Sequence, residues 1–171
     1  NLLLSLLLVT NSHEGNMKGF FSLFMFVWVF GYLVELLGVK TGFPFGSYYY
    51  GFSLGPRLFD VPVIIGVNWF LMVLGGGYLA QRFFTNKVLR VVVAALLMVS
   101  VDVLIEAVAP KLNYWYWKDD IVPFANFLGW FAVALIMQVG FIIFMKSSSN
   151  KLAIPYLITV ALFFGMLILA L

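Results

Sequence analysis

The chain has no cysteine, one histidine and few charged residues. Among its 171 residues, only 10% are Asp, Glu, Lys or Arg. Without cysteine, disulfides, thiolate nucleophiles and thiolate metal sites are all excluded. The one histidine, His13, lies in a short polar stretch, so a histidine-rich metal centre is excluded too.

Apolar residues dominate the composition. They make up 64% of the chain, whereas a soluble domain is roughly half apolar and a quarter charged. The composition therefore predicts an integral membrane protein, in one domain over residues 1–171. The ten basic residues are scattered among the predicted helix ends and form no basic face. Nucleic acid is excluded as a partner on that ground.

The apolar residues are grouped in runs long enough to cross a membrane, which takes about 20 residues. Five such segments cover residues 19–37, 62–79, 88–109, 123–145 and 152–171. A further leucine-rich run at residues 2–8 is too short. We interpret it as the end of a helix that begins before Asn1, and therefore expect the chain to be N-terminally incomplete. A signal-peptide core is disfavoured, because residues 9–13 lack a small-x-small cleavage pattern. The predicted fold class is all-α: a polytopic transmembrane bundle of about five full spans plus a partial N-terminal one.

Two connectors between the spans are unusual. Residues 38–61 are dense in glycine, proline and aromatic residues, and residues 110–122 are rich in tyrosine and tryptophan. Irregular backbone is not tolerated in lipid, yet the first connector is too apolar to be freely solvated. We therefore expect it to fold back as a lid or re-entrant loop. A plain aromatic belt at the membrane surface is the alternative.

Basic residues in the short connectors predict the orientation. One side carries Lys18, Arg82, Lys87, Arg90, Lys146 and Lys151. The other carries Lys40, Arg57, Lys111 and Lys118. The positive-inside rule places the larger group in the cytoplasm, for a multi-pass protein of the cytoplasmic (plasma) membrane. Three acidic residues then lie near the outer helix ends, beneath the two long connectors.

Two of these acids, Asp102 and Glu106, are four residues apart, so both lie on one face of a helix. Acids inside apolar helices are expensive and mark functional sites by default. Two carboxyls about 6 Å apart in surroundings of low dielectric do not both ionise, so one of them keeps its proton. Such a pair suits proton transfer without a metal or cofactor.

Each acid also has a simpler explanation. Glu35, the third acid, is near the end of its segment and could pair with Lys40. Glu106 could pair with Lys111 or Lys118. For Asp102 this explanation is weaker, because no cation lies three or four positions away.

The remaining polar side chains in or near the spans are amides. They are Asn68, Asn113, Asn126 and Gln138. They could hold a water molecule, although bonding helix to helix is the commoner use. Nearby tryptophan and tyrosine faces could stabilise a cation formed by protonating an alkene. The run of glycines at residues 75–77 predicts close packing or a kink and no chemistry.

Several motifs are distinctive as an ordered series. Glu35 is followed by Thr-Gly-Phe-Pro-Phe-Gly-Ser-Tyr-Tyr-Tyr at residues 41–50 and Leu-Gly-Pro at 54–56. Asp102 and Glu106 are followed by Tyr-Trp-Tyr-Trp at 114–117 and a segment from Pro to Trp at 123–130. Over about residues 31–145 the chain resembles the carotenoid biosynthesis family of integral-membrane carotenoid hydratases.

The resemblance implies an enzyme that adds water across the terminal double bond of an acyclic carotenoid end group. The alkene would be protonated to a tertiary carbocation and captured by water as a tertiary alcohol. Asp102 or Glu106 would donate the proton, and Glu35 would orient or activate the water. No cofactor or metal is implied. The implied partners are a long polyene, membrane lipids and other membrane enzymes of the same pathway.

The candidate substrate-binding residues are the aromatic and amide side chains around these acids. They are Trp28, Tyr32, Phe43, Phe45, Tyr48, Tyr50, Trp69, Asn113, Trp115, Trp117, Asn126 and Trp130.

Three other functions fit the same residues. A lycopene-cyclase-like enzyme would use the same protonation but close a ring. A proton-coupled transporter would use the acids as a relay, although no repeat relates two halves of the chain. A structural membrane subunit would have no site at all.

Overall fold

The computed structural model describes residues 2–171, and most of this part of the chain is helical. The helices are α1 (Leu2–Asn11), α2 (Met17–Thr41), α3 (Ile65–Phe83), α4 (Lys87–Glu106), α5 (Phe124–Phe144) and α6 (Ala153–Ala170). The strands are β1 (His13–Glu14), β2 (Tyr48–Tyr50), β3 (Arg57–Leu58), β4 (Val61–Pro62), β5 (Trp115–Trp117) and β6 (Ser149–Asn150). They pair as β1 with β6, β2 with β5 and β3 with β4, all antiparallel. The predicted all-α polytopic bundle is confirmed.

The five predicted spans correspond to α2–α6, and four of them are both long and apolar enough to cross a membrane. These four are α2, α4, α5 and α6. The fifth, α3, has 19 residues and is the central helix, packed against α1, α2, α4, α5 and α6. Because its sides face other helices, α3 can carry Asn68 and three successive glycines where a lipid-facing helix needs apolar side chains.

Some helices begin or end at residues other than the predicted ones, because local capping and turn residues determine where a helix starts and stops. The Asn16 side chain accepts a hydrogen bond from the Gly19 amide and starts α2, two residues earlier than predicted. The same helix runs on to Thr41 and stops where Gly42 takes a left-handed conformation, with φ 78°. Pro62 belongs to a strand, so α3 starts three residues later than its predicted segment.

The three glycines of α3 are a packing device. Successive helical residues are 100° apart, so each glycine faces a different neighbour. Gly75 lies against Leu157 and the Ala153 carbonyl of α6, and Gly76 against the Ala94 carbonyl of α4. Gly77 lies against the Phe141 ring of α5. α3 continues through all three, so close packing, not a break in the helix, explains the run.

Connectors at the two ends of the bundle are tied together by short sheets. At one end, β1 pairs with β6, and the Asn150 amide donates to the Val9 carbonyl at 2.7 Å. At the other end, β2 from the first long connector pairs with β5 from the second. The two connectors therefore form one lid over the helix ends that carry the three acids, as the aromatic and glycine content predicts.

We expect Gly75→Ala to destabilise the protein. The added methyl would be 2.7 Å from Leu157 Cβ and 3.0 Å from the Ala153 carbonyl, so α3 and α6 must move apart. Overpacking costs about 1–3 kcal/mol, and the better helix propensity of alanine returns at most about 1 kcal/mol. Thermal unfolding in detergent, followed by circular dichroism, should show a midpoint lower by several degrees.

Gly165→Ala in α6 is the matched control. A methyl there meets no atom within 4 Å. Its midpoint should stay unchanged or rise, and equal behaviour of the two variants would contradict this account of the α3–α6 contact.

Candidate active site

The pairing of β2 with β5 aims four side chains down at the helices. Tyr48 lies opposite Trp117, and Tyr50 opposite Trp115. Side chains alternate between the two faces of a strand, so these four share the inner face. Tyr49, between the two inner tyrosines, is 58% exposed and stacks on Tyr116 of the other strand with ring centroids 5.4 Å apart.

The two inner tyrosines, Tyr48 and Tyr50, bind Glu35, which is a buried residue of α2. Its Oε2 accepts hydrogen bonds from the hydroxyls of Tyr48 at 2.5 Å and Tyr50 at 2.7 Å. Its Oε1 accepts one from the indole N–H of Trp69 at 3.0 Å. Burial, and then the nearby Glu35 carboxylate, hold the pKa of both tyrosines well above the usual value, so both remain donors.

The inner tryptophans bind Glu106 in the same way. Its Oε2 accepts from the indole N–H groups of Trp117 at 2.8 Å and Trp115 at 3.0 Å. Its Oε1 accepts from the Asn126 amide at 3.1 Å, and that amide also donates to Asp102 Oδ2 at 3.1 Å. One amide from α5 thus bridges the two acids of α4.

Asp102 differs from the other two acids. Its side chain is fully buried, and its Oδ1 has no hydrogen-bond partner within residues 2–171. A buried carboxylate oxygen without a donor is costly when charged, whereas an uncharged carboxyl tolerates it better. Asp102 and Glu106 are therefore linked through the Asn126 amide, and one oxygen of Asp102 is left without a donor.

No cation neutralises these acids in the part of the chain that the structure describes. The ion pairs found there join Lys40 to Asp60 at 2.7 Å and Lys151 to Glu14 at 2.6 Å, all with exposed side chains. Lys40 is thus engaged elsewhere, and Glu106 has indole and amide donors in place of a lysine. The simpler explanations of Glu35 and Glu106 as surface ion pairs are wrong.

A small cavity of about 20 Å³ lies among these groups, which is room for about one water molecule. Its polar lining comprises Glu35, Tyr48, Tyr50, Asn68, Glu106 and Asn126. Its remaining walls are Phe45, Ile65, Ile105, Trp115, Trp117 and Trp130. Asp102 is not part of the lining and lies behind Asn126.

A second, larger cavity of about 380 Å³ adjoins the first. It lies among α1, α3, α4 and α6, and its lining is mostly apolar and aromatic. Ile65, Asn68, Ile105 and Trp115 line both cavities, so these four residues form the boundary between them. Sequence reasoning assigned no site role to α1 or α6. No motif marks their lining residues, which only the helix packing brings together.

Eight of the twelve candidate substrate-binding residues are near the small cavity. Seven line it: Phe45, Tyr48, Tyr50, Trp115, Trp117, Asn126 and Trp130. Trp69 lies one layer behind, stacked on Trp130 with ring centroids 3.8 Å apart.

Four candidates lie elsewhere. Trp28 stacks on Tyr32, and the Tyr32 hydroxyl donates to the Leu58 carbonyl, so Tyr32 fastens the first connector to α2. Phe43 is 68% exposed. Asn113 adopts a positive φ of 57° in the second connector, where its carbonyl oxygen accepts from the Tyr116 hydroxyl. None of these four residues lines either cavity.

A metal site is not evident in this arrangement. Within residues 2–171, no group of three or more His, Asp or Glu side chains is placed to hold a metal ion. The oxygens of Glu35 and Glu106 accept hydrogen bonds from N–H and O–H groups. The donors favour a role in handling protons and water.

Comparison with known proteins shows the family. The sequence model of the family described as "Carotenoid biosynthesis protein" matches residues 2–171. The chain belongs to this family. It is also 30% identical, over 125 residues, to the bisanhydrobacterioruberin hydratase of Haloarcula japonica. That alignment covers 66% of this chain and 43% of the relative, so the chain spans less than half of the relative's length. No solved structure matches this carotenoid biosynthesis family member.

We expect Tyr50→Phe to destabilise the lid. The change removes one of three donors to the buried Glu35, and a hydrogen bond to a charged group contributes about 1.5–3 kcal/mol. Thermal unfolding in detergent should show a lower midpoint. Limited proteolysis should cut the first connector faster.

Tyr49→Phe, on the outer face of the same strand, is the control. Its side chain is mostly exposed and has no contact with the acids, so neither the midpoint nor the cleavage rate should change. If Tyr50→Phe behaved like Tyr49→Phe, the Tyr50–Glu35 hydrogen bond would have no structural role.

Proposed function

We propose that this carotenoid biosynthesis family member hydrates the terminal double bond of an acyclic carotenoid end group and forms a tertiary alcohol. The observation that carries the proposal is that buried Glu35 and Glu106 line a water-sized cavity that adjoins an apolar pocket, with Asp102 held behind it by the Asn126 amide. Within residues 2–171, no cation pairs with any of these three acids. The named activity of the Haloarcula japonica relative supports it.

The larger cavity suits the end of a polyene. Its walls are aliphatic and aromatic, and about 380 Å³ holds a branched hydrocarbon end but not a whole carotenoid. The remainder of the chain would extend into lipid between α1 and α6, where many apolar side chains are exposed. The terminal double bond would then lie at the boundary beside Ile65 and Ile105.

Glu106 is the better placed proton donor of the acid pair. It lines the small cavity, whereas Asp102 is separated from it by Asn126. Two neighbouring carboxyls in surroundings of low dielectric do not both ionise, because their charges repel strongly, so the pair keeps one proton. In this proposal Glu106 holds that proton and gives it to the less substituted alkene carbon, and Asp102 positions Glu106 through the Asn126 amide.

The resulting tertiary cation would be stabilised and then captured inside the site. Tryptophan rings such as Trp115 and Trp130 can face the positive charge, and Glu35 can offset it from the opposite wall. The water oxygen forms the new C–O bond, and the proton that it releases returns to Glu106. The cycle consumes only alkene and water, so we propose no cofactor and no metal.

We also propose that the protein resides in the cytoplasmic membrane, with the lid on the outer side. Six basic residues near one end of the bundle against four near the lid support this orientation. A substrate this apolar would reach the protein through the lipid. Other membrane enzymes of carotenoid synthesis would therefore be its neighbours.

The test is expression in cells that accumulate lycopene, with pigments analysed by chromatography and mass spectrometry. We expect products heavier by one water per modified end. Glu106→Gln should lower the rate by about 10²–10⁴-fold, the usual contribution of a general acid. Asp102→Asn should lower it as well, because it removes the second carboxyl, whose negative charge favours the proton on Glu106.

Glu14→Gln is the matched control, since Glu14 is an exposed acid at the opposite end of the bundle. It should hydrate lycopene at the wild-type rate. An isomer of unchanged mass with a shortened chromophore would mean a cyclase. Unaltered lycopene and other acyclic carotenoids, with the protein present in the membrane, would contradict the enzyme and favour the transporter.

A further inference from the structure

We infer that Asn68 holds the water that captures the carbocation, and so decides that the product is an alcohol. The inference rests on the proposed function and assigns a role to a residue that the acid chemistry does not use. Asn68 is in α3, next to Trp69, and lines both cavities.

The boundary between the cavities has one polar side chain available for this task. Ile65 and Ile105 are apolar, and the indole N–H of Trp115 is bonded to Glu106. Within residues 2–171, the hydrogen bonds to the three acids come from tyrosines, tryptophans and Asn126, and none comes from Asn68. Its half-buried amide therefore faces the cavities without being part of the network that holds the acids.

The small cavity meets the conditions for one ordered water. It has room for about one molecule, and a buried water needs two to four polar partners. Glu35 and Glu106 offer acceptors, and the Asn68 amide offers both a donor and an acceptor. A water held by Asn68 lies at the mouth of the apolar cavity, where the polyene end would be.

A tertiary carbocation in this position has three fates. It can lose a proton and return to an alkene, close a ring with a neighbouring double bond, or bind water. When water binds, a lone pair of its oxygen forms the C–O bond, and the oxonium proton passes to the Glu106 carboxylate. The Asn68 carbonyl oxygen accepts a hydrogen bond from the attacking water and takes no proton. It fixes the direction of attack while positive charge grows on the water oxygen.

The first experiment separates protonation from capture. Membranes containing the protein are incubated with lycopene in heavy water. Repeated reversible protonation of the end group then builds up deuterium in the recovered carotenoid, because the cation also loses protium in place of the added deuterium. Asn68→Leu keeps the side-chain size but removes the amide. We expect it to continue deuterium exchange while the alcohol fraction falls about 10–100-fold, the effect of losing one well-placed hydrogen bond. Glu106→Gln should lose both exchange and hydration.

Two further variants make the result specific. Asn68→Ser keeps a polar group, a hydroxyl one bond closer to the backbone, and should restore part of the alcohol relative to Asn68→Leu. Gln138→Leu removes a buried helix amide that is outside the site: it donates to the Val73 carbonyl at 3.1 Å and lines neither cavity. Any loss of activity in Gln138→Leu should affect exchange and hydration equally, so its ratio of alcohol to exchanged alkene should match wild type.

The outcomes distinguish this inference from the proposed function. If wild type hydrates lycopene and Asn68→Leu forms the same alcohol fraction, the inference is overturned and the proposed function stands. If Asn68→Leu loses exchange and hydration in parallel, Asn68 has a structural role and the inference is also overturned. If wild type yields no alcohol from any acyclic carotenoid, the proposed function fails and this inference fails with it.

Discussion

The structure depends on how three carboxyl groups are kept inside an apolar bundle in which residues 2–171 give them no basic partner. Burying a charged carboxylate without hydrogen bonds costs several kcal/mol of folding free energy or more. Each acid must therefore receive hydrogen-bond donors from the protein. Those donors are neutral: two tyrosine hydroxyls and an indole for Glu35, two indoles and an amide for Glu106. Neutral donors satisfy the oxygens but leave no fixed positive charge to compete with a cation formed nearby. The choice of aromatic donors over lysine therefore suits carbocation chemistry.

This requirement couples the lid to the helices. Tyr50 and Trp115 lie opposite each other in the β2–β5 ladder, yet they donate to acids on different helices, α2 and α4. The inner tyrosine and tryptophan side chains of the ladder find their acceptors only when both helices are in place. Likewise, Glu35 and Glu106 receive most of their hydrogen bonds only when the ladder has formed. The cost of the acids is thus offset by the same contacts that close the site, and opening the lid would leave two carboxylates without most of their donors.

The sequence was enough to predict the spans, the shared face of Asp102 and Glu106, and a lid of aromatic connectors, because hydropathy, helical periodicity and loop composition are local signals. It did not predict which rings point inward. Tyr48 and Tyr49 are equal by composition, and only the register with a strand almost seventy residues away separates them. Trp28 and Tyr32 lie on the same helical stripe as Glu35, but Tyr32 is bonded to the Leu58 carbonyl of β3, and Trp28 stacks on Tyr32. The larger cavity is a product of α1 and α6 packing beside α3, and no local pattern encodes such distant contacts.

The size of the small cavity bears on the difference between hydration and cyclisation. A wide aqueous cavity would solvate the acids, weaken their action on the alkene, and quench the cation without control of position. A dry site would leave the cation only two partners, a neighbouring double bond or a base. A cavity of about 20 Å³ lies between these limits, since it admits about one water and keeps the surroundings of the acids otherwise anhydrous. A hydratase and a cyclase can therefore share the acid pair and the aromatic walls, and differ in whether one polar side chain at the boundary keeps that single water in place.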